Sequence, residues 1–438
     1  MNLRLPWGEK DFLNITLPLK WSLRKEFFPD DSAPSAELKD MLIESLANPI
    51  DQGPLYCQAL SDKKIAIIVD DNTRPTPVHL IFPKIIEELH IAGASKKNIS
   101  IIISLGTHSP LSEAEIANRL GVDRLELKKY TIVNHDCHNR EMLFSLGKTL
   151  SGAEVLINKE ACGADLVISI GTIEPHLLAG FGGGLKNIIP GCAGMETISA
   201  THLQVPADKR FTAVGKMGEE CPTRLLIEEG AGMLSGEIFL VNTVLNRKGE
   251  AVGIYCGNPI KAHRAGCRLA AKVYGIGIDE KADVVITGSH PMDMDLRQGT
   301  KCLSNVAAAL KDNGLLIAFL RCNFGIGDMT IPDYFLPLDL MRIFSQECGT
   351  EKIVEIRGRC RESMSMDDKY MLQFLTEMCK RQHILVYAPD ILVDTGSKLG
   401  TFELFSEIDP LFNRATELVP EAKTVLAFPY GGVSYAFS

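Results

Sequence analysis

The feature that most constrains the fold is a regular alternation of short apolar runs with segments of helical spacing. In the first half of the chain the runs end in polar or glycine residues and resemble buried strands; they lie at residues 63–71, 98–108, 130–136 and 164–172. The segments between them, 77–93 and 112–121, have helical spacing and close on glycine. Because alternating strands and helices build parallel sheets through right-handed crossovers, the pattern predicts a doubly wound α/β layer.

A second cycle of the same kind begins near residue 280. Its strand-like runs lie at 282–290, 313–322, 383–390 and 423–432, with helical stretches expected at 298–313 and, joining the halves, at 255–275. We therefore expect an α/β fold of two domains, each with a parallel-type, Rossmann-like sheet, and an interdomain cleft. The N-terminal domain is assigned to residues 1–272, which residues 405–438 are expected to complete, and the C-terminal domain to residues 276–400.

Composition excludes several classes of function. The net charge of −9, without a cluster of Lys or Arg, argues against nucleic-acid binding. No apolar run approaches the length of a membrane span, and the first residues lack the apolar core of a signal peptide. The 12 cysteines are scattered, with no CxxC pair, as is typical of reduced thiols. These features together predict a cytoplasmic protein that contacts neither nucleic acid nor membrane.

The polar residues of interest follow the predicted strands. In open α/β sheets, ligands bind beyond the carboxyl ends of the strands. The groups found there are Asp70–Asp71 with Thr73 and Arg74, Gly106–His108, Asn134–Asp136, Gly171–His176, and Ser289–Pro291 with Arg297, Gln298 and Lys301 close behind. Their convergence predicts a single site in the cleft.

The segment 173–202 is the richest in reactive side chains. It contains His176, His202, Lys186 and the glycine run Gly182, Gly183 and Gly184. Histidines shuttle protons or bind metals, and a lysine beside an open backbone can meet an anion or form a covalent link. The run is neither a GxGxxG fingerprint nor a phosphate-binding loop ending in Lys-Ser/Thr, which disfavours a plain nicotinamide site. We expect its backbone N–H groups to approach an anion.

Some of these residues also have simpler interpretations. Arg74 fits a fork for a carboxylate or phosphate, or else an ion pair with Asp70 or Asp71. His108 suits acid–base work, although it could instead cap a helix approach. His135 and His138 more readily belong to a turn built by Asn and Asp side chains.

A metal at His202 is also difficult to complete from the sequence alone. Only Glu196 is a possible acidic partner nearby, so most ligands of such a metal would have to come from elsewhere.

Together these motifs resemble the nickel-dependent lactate racemase family of 2-hydroxyacid racemases and epimerases. The matching segments are DDNTRPTP (70–77), GTH (106–108), NHD (134–136), EPHLLAGFGGGLKNIIPG (174–191), TISATH (197–202) and DMDLRQGTK (293–301). The likeness runs through most of the chain, and it implies an isomerase.

The resemblance also implies a cofactor. Members of this family use a nickel-pincer nucleotide, a pyridinium mononucleotide that gives nickel two sulfur ligands and one carbon ligand. By motif match, Lys186 would tether this cofactor and His202 would complete the nickel site, a geometry that suits nickel. Asp71, Thr73 and the run Gly182–Gly184 would hold its ribose-phosphate. Cofactor-biosynthesis proteins are then implied as partners.

The same resemblance assigns the substrate residues. His108 and His176 would act as acid–base groups on opposite sides while a hydride moves reversibly from C2 of the hydroxyacid to the cofactor. Arg74, Gln298 and Lys301 would fix the substrate carboxylate. Related sequences often have tyrosine where this chain has Arg297, which favours a larger or more polar 2-hydroxyacid than lactate. The alternatives are a hydroxyacid dehydrogenase, another metal-dependent enzyme, or a binding protein without turnover.

Overall fold

The first of two large sheets is built from the N-terminal half of the chain. The structure is a computed structural model, and it describes residues 1–8, 10–206, 209, 211–327, 365–380, 382–391, 398–399 and 402–437. The six strands, in spatial order, are Ala251–Gly257, Glu237–Leu245, Leu166–Thr172, Ile65–Asp70, Ile99–Ser104 and Thr131–Asn134. All neighbours are parallel except the first pair, which is antiparallel.

The central strand Ile65–Asp70 illustrates why these runs become strands. All six of its residues are buried, and alternate side chains pack into different apolar clusters on the two faces of the sheet. A strand covered on both faces has to be apolar throughout, whereas a strand with one wet face would alternate. The first predicted sheet is therefore confirmed.

The helices around this sheet begin and end where local signals require. Ser112 and Glu115 form a capping box at the start of the helix Glu113–Leu120, and Gly121 closes it in the left-handed conformation at φ +67°. A Cβ at Gly121 would lie 2.6 Å from the carbonyl oxygen of His79, so glycine is required twice over. Further α-helices that the structure describes in this half are Leu38–Ala47, Val78–Ile91, Arg124–Leu127, Lys159–Cys162, Met195–Leu203, Pro222–Ala231 and Lys261–Tyr274.

The second large sheet contains mostly C-terminal strands. In spatial order these are Lys398–Leu399, Phe402–Phe405, His383–Tyr387, Leu310–Phe319, Ala282–Gly288, Thr424–Phe428 and Ser22–Glu26. Its neighbours are parallel except for the first pair. The accompanying helices are Leu296–Gly299, Lys301–Val306, Met366–Cys379 and Ile408–Leu418. The fold is thus α/β with largely parallel sheets, as expected.

Several expected boundaries are corrected. The strand Thr424–Phe428, from the segment 405–438 that was expected to complete the first domain, pairs within the second sheet, and so does Ser22–Glu26 from the N-terminal segment. The last strand, Tyr435–Phe437, pairs at the junction of the two assigned domains, with Gly275–Gly277. An apolar run does not indicate which of the two sheets it joins, because its side chains are equally buried in the first sheet and in the second. The division at 272/276 stays a prediction, and residues 328–364 of the second assigned domain lie outside the described residues.

Two predicted helices were drawn too long. The stretch 298–313 stops being helical at Ala309, and Leu310 begins a strand. The stretch 255–275 becomes helical only at Lys261, because residues up to Gly257 form an edge strand. The remaining antiparallel pairs are Asn2–Trp7 with Asp11–Thr16, Leu143–Lys148 with Glu154–Asn158, and Pro175–His176 with Gly180–Phe181. Within the described segments, no helix combines the length and apolarity needed to cross a bilayer.

Candidate active site

A cavity of about 200 Å³ lies where loops after the strands of the two sheets meet. Most of the residues selected from the sequence line it: Asp71, Arg74, His108, His176, Gly182, Gly183, Lys186, His202, Arg297, Gln298 and Lys301. Two do not. Thr73 lies behind Asp71 and donates hydrogen bonds to its carboxylate, and the backbone N–H of Gly184 donates to Asn242 Oδ1 at 2.6 Å.

His108 and Asp71 form a hydrogen-bonded pair at the cavity wall. The Nδ1 atom of His108 lies 2.5 Å from Asp71 Oδ2. Burial alone would raise the pKa of Asp71, but the hydrogen bond and charge of His108, together with Thr73, lower that pKa to about 2. An ionised Asp71 holds the Nδ1 proton of His108, so the lone pair of the imidazole lies on Nε2. Nε2 makes no hydrogen bond within the described part of the chain.

Arg74 pairs with a carboxylate that the sequence reasoning did not select. Its Nη1 atom lies 2.7 Å from Glu174 Oε1, so the alternative of an ion pair with Asp70 or Asp71 is wrong. Asp70 instead pairs with Arg119. Lys301 Nζ lies 3.9 Å from the same Glu174 oxygen and has no hydrogen-bond partner among the described residues. The signal for Glu174 was its place directly before Pro175-His176 in the motif.

Lys301 and Gln298 have unsatisfied polar atoms. Glu174 Oε2, Gln298 Oε1 and Lys301 Nζ are all buried without a hydrogen-bond partner in the described structure. Burial and the neighbouring charge of Arg74 lower the pKa of Lys301 to about 7. Buried polar atoms left open in this way are costly. They are suited to a polar ligand that the cavity receives.

His176 is held in one tautomer. Its Nδ1 atom accepts hydrogen bonds from the backbone N–H groups of Leu178 at 3.1 Å and Ala179 at 3.2 Å. Because a backbone N–H can only donate, the neutral ring carries its proton on Nε2. Burial and then the charges of Lys186, Lys301 and Arg74 hold the pKa of His176 well below its usual value. In this arrangement His176 is a neutral hydrogen-bond donor through Nε2. The role of His108 and His176 as two bases on opposite sides, which the resemblance implies, stays a prediction.

Lys186 lies on a short 3₁₀ turn that directly follows the glycine run. Gly183 and Gly184 have φ of +65° and +62°, and a Cβ at Gly183 would lie 2.6 Å from Asn242 Oδ1. Burial first, and then the charges of Arg74, Arg224 and Lys301, hold the pKa of Lys186 well below its ordinary value. These surroundings favour the neutral form of the amine, which is the form that a covalent link requires.

Two N–H groups of the glycine run are engaged within the protein and do not face an anion. The N–H of Gly182 donates to the carbonyl of Glu174 at 2.7 Å, and that of Gly184 is taken by Asn242. These two donors are satisfied within the protein, so the prediction of a backbone cradle is wrong for them. The glycines instead permit the tight path of the chain that brings His176 and Lys186 to one cavity.

The hydrogen bonding of His202 leaves the lone pair of the ring on Nε2. Its Nδ1 atom lies 2.8 Å from the carbonyl oxygen of Ile198, one helical turn earlier, so Nδ1 carries the proton and Nε2 the lone pair. The ring meets Tyr370 edge to face, with centroids 5.7 Å apart. No group of three His, Cys, Asp or Glu side chains suited to a metal occurs in the described ranges.

The remaining candidates divide clearly. Arg297 Nη2 lies 3.4 Å from Thr107 Oγ1, beside His108, so its charge reaches the cavity. His135 is buried, with Nε2 bonded to the carbonyl of Ala193 and Nδ1 to Asn158, which is a structural role. His138 is exposed, and its backbone N–H bonds to Asp136 in a turn.

Comparisons with known proteins identify the family. Residues 9–213 match the family model described as the lactate racemase N-terminal domain. The lactate racemase of Thermoanaerobacterium thermosaccharolyticum is 31% identical over 444 residues, covering 97% of this chain and 99% of that protein. The lactate racemase of Lactiplantibacillus plantarum is 26% identical over 394 residues, covering 89% and 88%. The site is thus of the racemase class. The chain belongs to the lactate racemase family.

Solved structures agree in fold. The lactate racemase apoprotein from Thermoanaerobacterium thermosaccharolyticum superposes with a TM-score of 0.81 at 24% identity, and the match covers 100% of both chains. A protein from Thermotoga maritima gives a TM-score of 0.67 at 17% identity, covering 94% of this chain and 100% of the other. The α/β architecture is therefore shared along the whole chain.

Proposed function

We propose that this protein is a nickel-dependent racemase or epimerase of a 2-hydroxyacid. The observation that carries the proposal is that one cavity gathers an acid–base pair, His108 and Asp71, with the cationic side chains of Arg74 and Lys301 and with Lys186, whose pKa is lowered. A protein that only bound a hydroxyacid would need the cations but neither the base nor the amine. Membership of a family whose named relatives are lactate racemases supports the same reading.

The residues present fit a nickel-pincer nucleotide. Lys186 would hold it covalently, because burial and the neighbouring cations lower the pKa of its amine and favour the neutral form. His202 would provide the ligand to nickel through Nε2, which carries the ring lone pair. Since no three protein ligands assemble in the described segments, further ligands would come from the cofactor. When bound, this group would supply a reversible acceptor for the hydrogen on C2.

The chain's own groups would manage the substrate and its proton. Arg74 and Lys301 would bind the carboxylate, with Gln298 as a further polar partner. The Nε2 atom of His108 would take the hydroxyl proton, and the ionised Asp71 would stabilise the resulting imidazolium. His176 would donate a hydrogen bond from Nε2 to oxygen. His108 would return the proton to the hydroxyl oxygen of the product.

Metal and mass measurements test this proposal directly. The chain, co-expressed with the enzymes that make the pincer nucleotide, is expected to carry stoichiometric nickel and an adduct, and to racemise at least one member of a 2-hydroxyacid panel. The His202→Ala variant is expected to retain the adduct but to lose most of its nickel, because one of the ligands has gone. His138→Ala, at an exposed turn, serves as the control. Unchanged nickel in His202→Ala would overturn the ligand assignment. Activity with a dissociable dinucleotide would favour a dehydrogenase.

The cation at position 297 bears on the substrate class. We propose that Arg297 meets a polar or anionic group on the far side of a substrate larger than lactate, because it adds a charge beside Thr107 and His108. Arg297→Tyr is expected to move the ratio of kcat/KM toward lactate and away from 2-hydroxydicarboxylates by about tenfold or more. Arg297→Lys, which keeps the charge, is the control. An unaltered profile across the panel would show that Arg297 does not contact the substrate.

The low pKa of Lys301 predicts a pH dependence. Below its pKa of about 7 the ammonium is charged and attracts the substrate carboxylate, and as pH rises through 7 this charge is lost. We expect kcat/KM to fall by about tenfold between pH 7 and 9. In Lys301→Arg the guanidinium stays charged, so this fall is expected to disappear even if the absolute rate is lower. The same slope in both proteins would assign the titration to another group.

A further inference from the structure

Residues 176–186, called the hairpin below, present His176 and Lys186 to the cavity. Several backbone carbonyl groups of this hairpin accept hydrogen bonds from two side chains, Arg224 and His263. The guanidinium of Arg224 donates from Nε to Ala179 O and from Nη1 to Gly183 O, each at 3.3 Å, and from Nη2 to Phe181 O. His263 Nε2 lies 2.9 Å from the intervening carbonyl of Gly182. The carbonyls of this hairpin are thus taken up by groups that do not line the cavity.

Arg224 is an unusual residue to find in such a place. Its side chain is only 1% exposed, and it makes no ion pair with a carboxylate in the described part of the chain. Glu228, one turn later on the same helix, is taken by Arg264 at 2.7 Å. Burying a charge without a counterion is costly, and packing alone could be provided by an apolar side chain. The retained charge therefore points to a use.

We propose that Arg224 is the positioning residue of this hairpin. Its planar guanidinium group donates hydrogen bonds to three carbonyl groups and thereby fixes how His176 and Lys186 face the cavity. Only arginine offers several N–H donors in one rigid plane, so a lysine could keep the charge but not the arrangement. The two backbone N–H groups that fix the tautomer of His176, those of Leu178 and Ala179, belong to the same hairpin. Loosening the hairpin would therefore affect both functional residues.

The charge of Arg224 has a second consequence. It is among the causes that hold the pKa of Lys186 well below its ordinary value, after burial and Arg74. It acts in the same direction on His176, after burial and the cations of the cavity. Arg224 thus favours the neutral amine and the neutral imidazole from behind the cavity wall. The catalytic meaning of this effect rests on the proposed function, whereas the effect itself does not.

The first arm of the test follows the reactivity of Lys186 in the full-length chain purified without the nucleotide. Each lysine is labelled with a small acylating reagent over a range of pH and is quantified by peptide mass spectrometry. In the wild type we expect Lys186 to react at lower pH than the exposed Lys20. In Arg224→Gln we expect labelling of Lys186 at pH 7 to slow by about tenfold relative to Lys20, which corresponds to a pKa rise of one unit. Arg268→Gln removes an exposed arginine from a helix that packs nearby and should change nothing.

The second arm of the test separates the effect of the hydrogen-bonding geometry of Arg224 from the effect of its charge. In Arg224→Lys, labelling of Lys186 should stay within about threefold of the wild type, because the charge is kept. Hydrogen exchange of residues 178–187 should accelerate by about tenfold or more, while the strand Ile65–Asp70 exchanges as before. If Arg224→Gln does not fold, this arm carries the test alone.

Two outcomes would overturn the inference. If Arg224→Gln folds and its Lys186 is labelled at the same rate as in the wild type at every pH, Arg224 has no electrostatic effect on Lys186. Unchanged exchange of residues 178–187 in Arg224→Lys would remove the positioning role. Neither measurement involves turnover, so a failure here leaves the racemase proposal standing. Conversely, a chain that racemises no hydroxyacid could still show both effects.

Discussion

When it is co-expressed with the cofactor-producing enzymes, the Lys186→Ala variant is expected to keep its unmodified mass. The wild-type chain is expected to gain an adduct on Lys186 under the same conditions. Lys186 combines an amine of lowered pKa with a place on the cavity wall. Without the covalent link the nucleotide would have to bind reversibly, and its effective concentration beside the substrate would fall. We therefore expect kcat/KM to drop by at least about a thousandfold. Intact-mass spectrometry followed by peptide mapping measures the first effect, and a racemisation assay measures the second.

Two other lysines provide controls for this result. Lys216 is exposed, and although its backbone approaches the hairpin, its side chain does not line the cavity. Lys216→Ala should keep both the adduct and the activity. Lys301→Ala should keep the adduct while losing affinity for the substrate, because Lys301 is assigned to the carboxylate. An adduct that persists in Lys186→Ala would place the tether on another residue and would remove the central element of the proposed function.

The sequence predicted the parts of this structure that depend on local chemistry. Strands such as Ile65–Asp70 were identifiable because a strand covered on both faces is apolar throughout. The helix Glu113–Leu120 was identifiable from its apolar spacing and its closing glycine. The cavity residues were identifiable because the carboxyl ends of parallel strands lie at one edge of a sheet. These inferences needed no knowledge of distant contacts.

What the sequence could not predict depends on partners far apart in the chain. Thr424–Phe428 pairs with Ala282–Gly288, and its apolar pattern would have suited the first sheet equally well. Arg224 could not be selected, because an arginine in an amphipathic helix is ordinarily a solvated residue until three carbonyls are found around it. The tautomer of His176 likewise depends on where two backbone N–H groups point.

The largest loss of turnover outside the cofactor tether is expected from His108→Gln. His108 offers an imidazole whose Nδ1 is bound to an ionised carboxylate, Asp71, so its Nε2 is ready to accept the hydroxyl proton. A glutamine at this position can form hydrogen bonds but cannot accept a proton at neutral pH. General-base contributions are of the order of a hundredfold to ten-thousandfold, and we expect kcat/KM to fall within this range for both enantiomers. Polarimetry or chiral chromatography, run from each enantiomer in turn, measures the loss.

His176→Gln is the informative comparison, because the side-chain amide of glutamine can still donate a hydrogen bond at the position where His176 presents Nε2–H. If His176 acts as a neutral donor, as its two backbone contacts require, this variant should lose only about tenfold, in keeping with one altered hydrogen bond. His90→Gln, on an exposed helical position, controls for the change of residue type. Equal losses in His108→Gln and His176→Gln would instead mean that both rings take up protons. Nδ1 of His176 would then have to release its backbone partners during turnover, and the hairpin held by Arg224 would have to move with it.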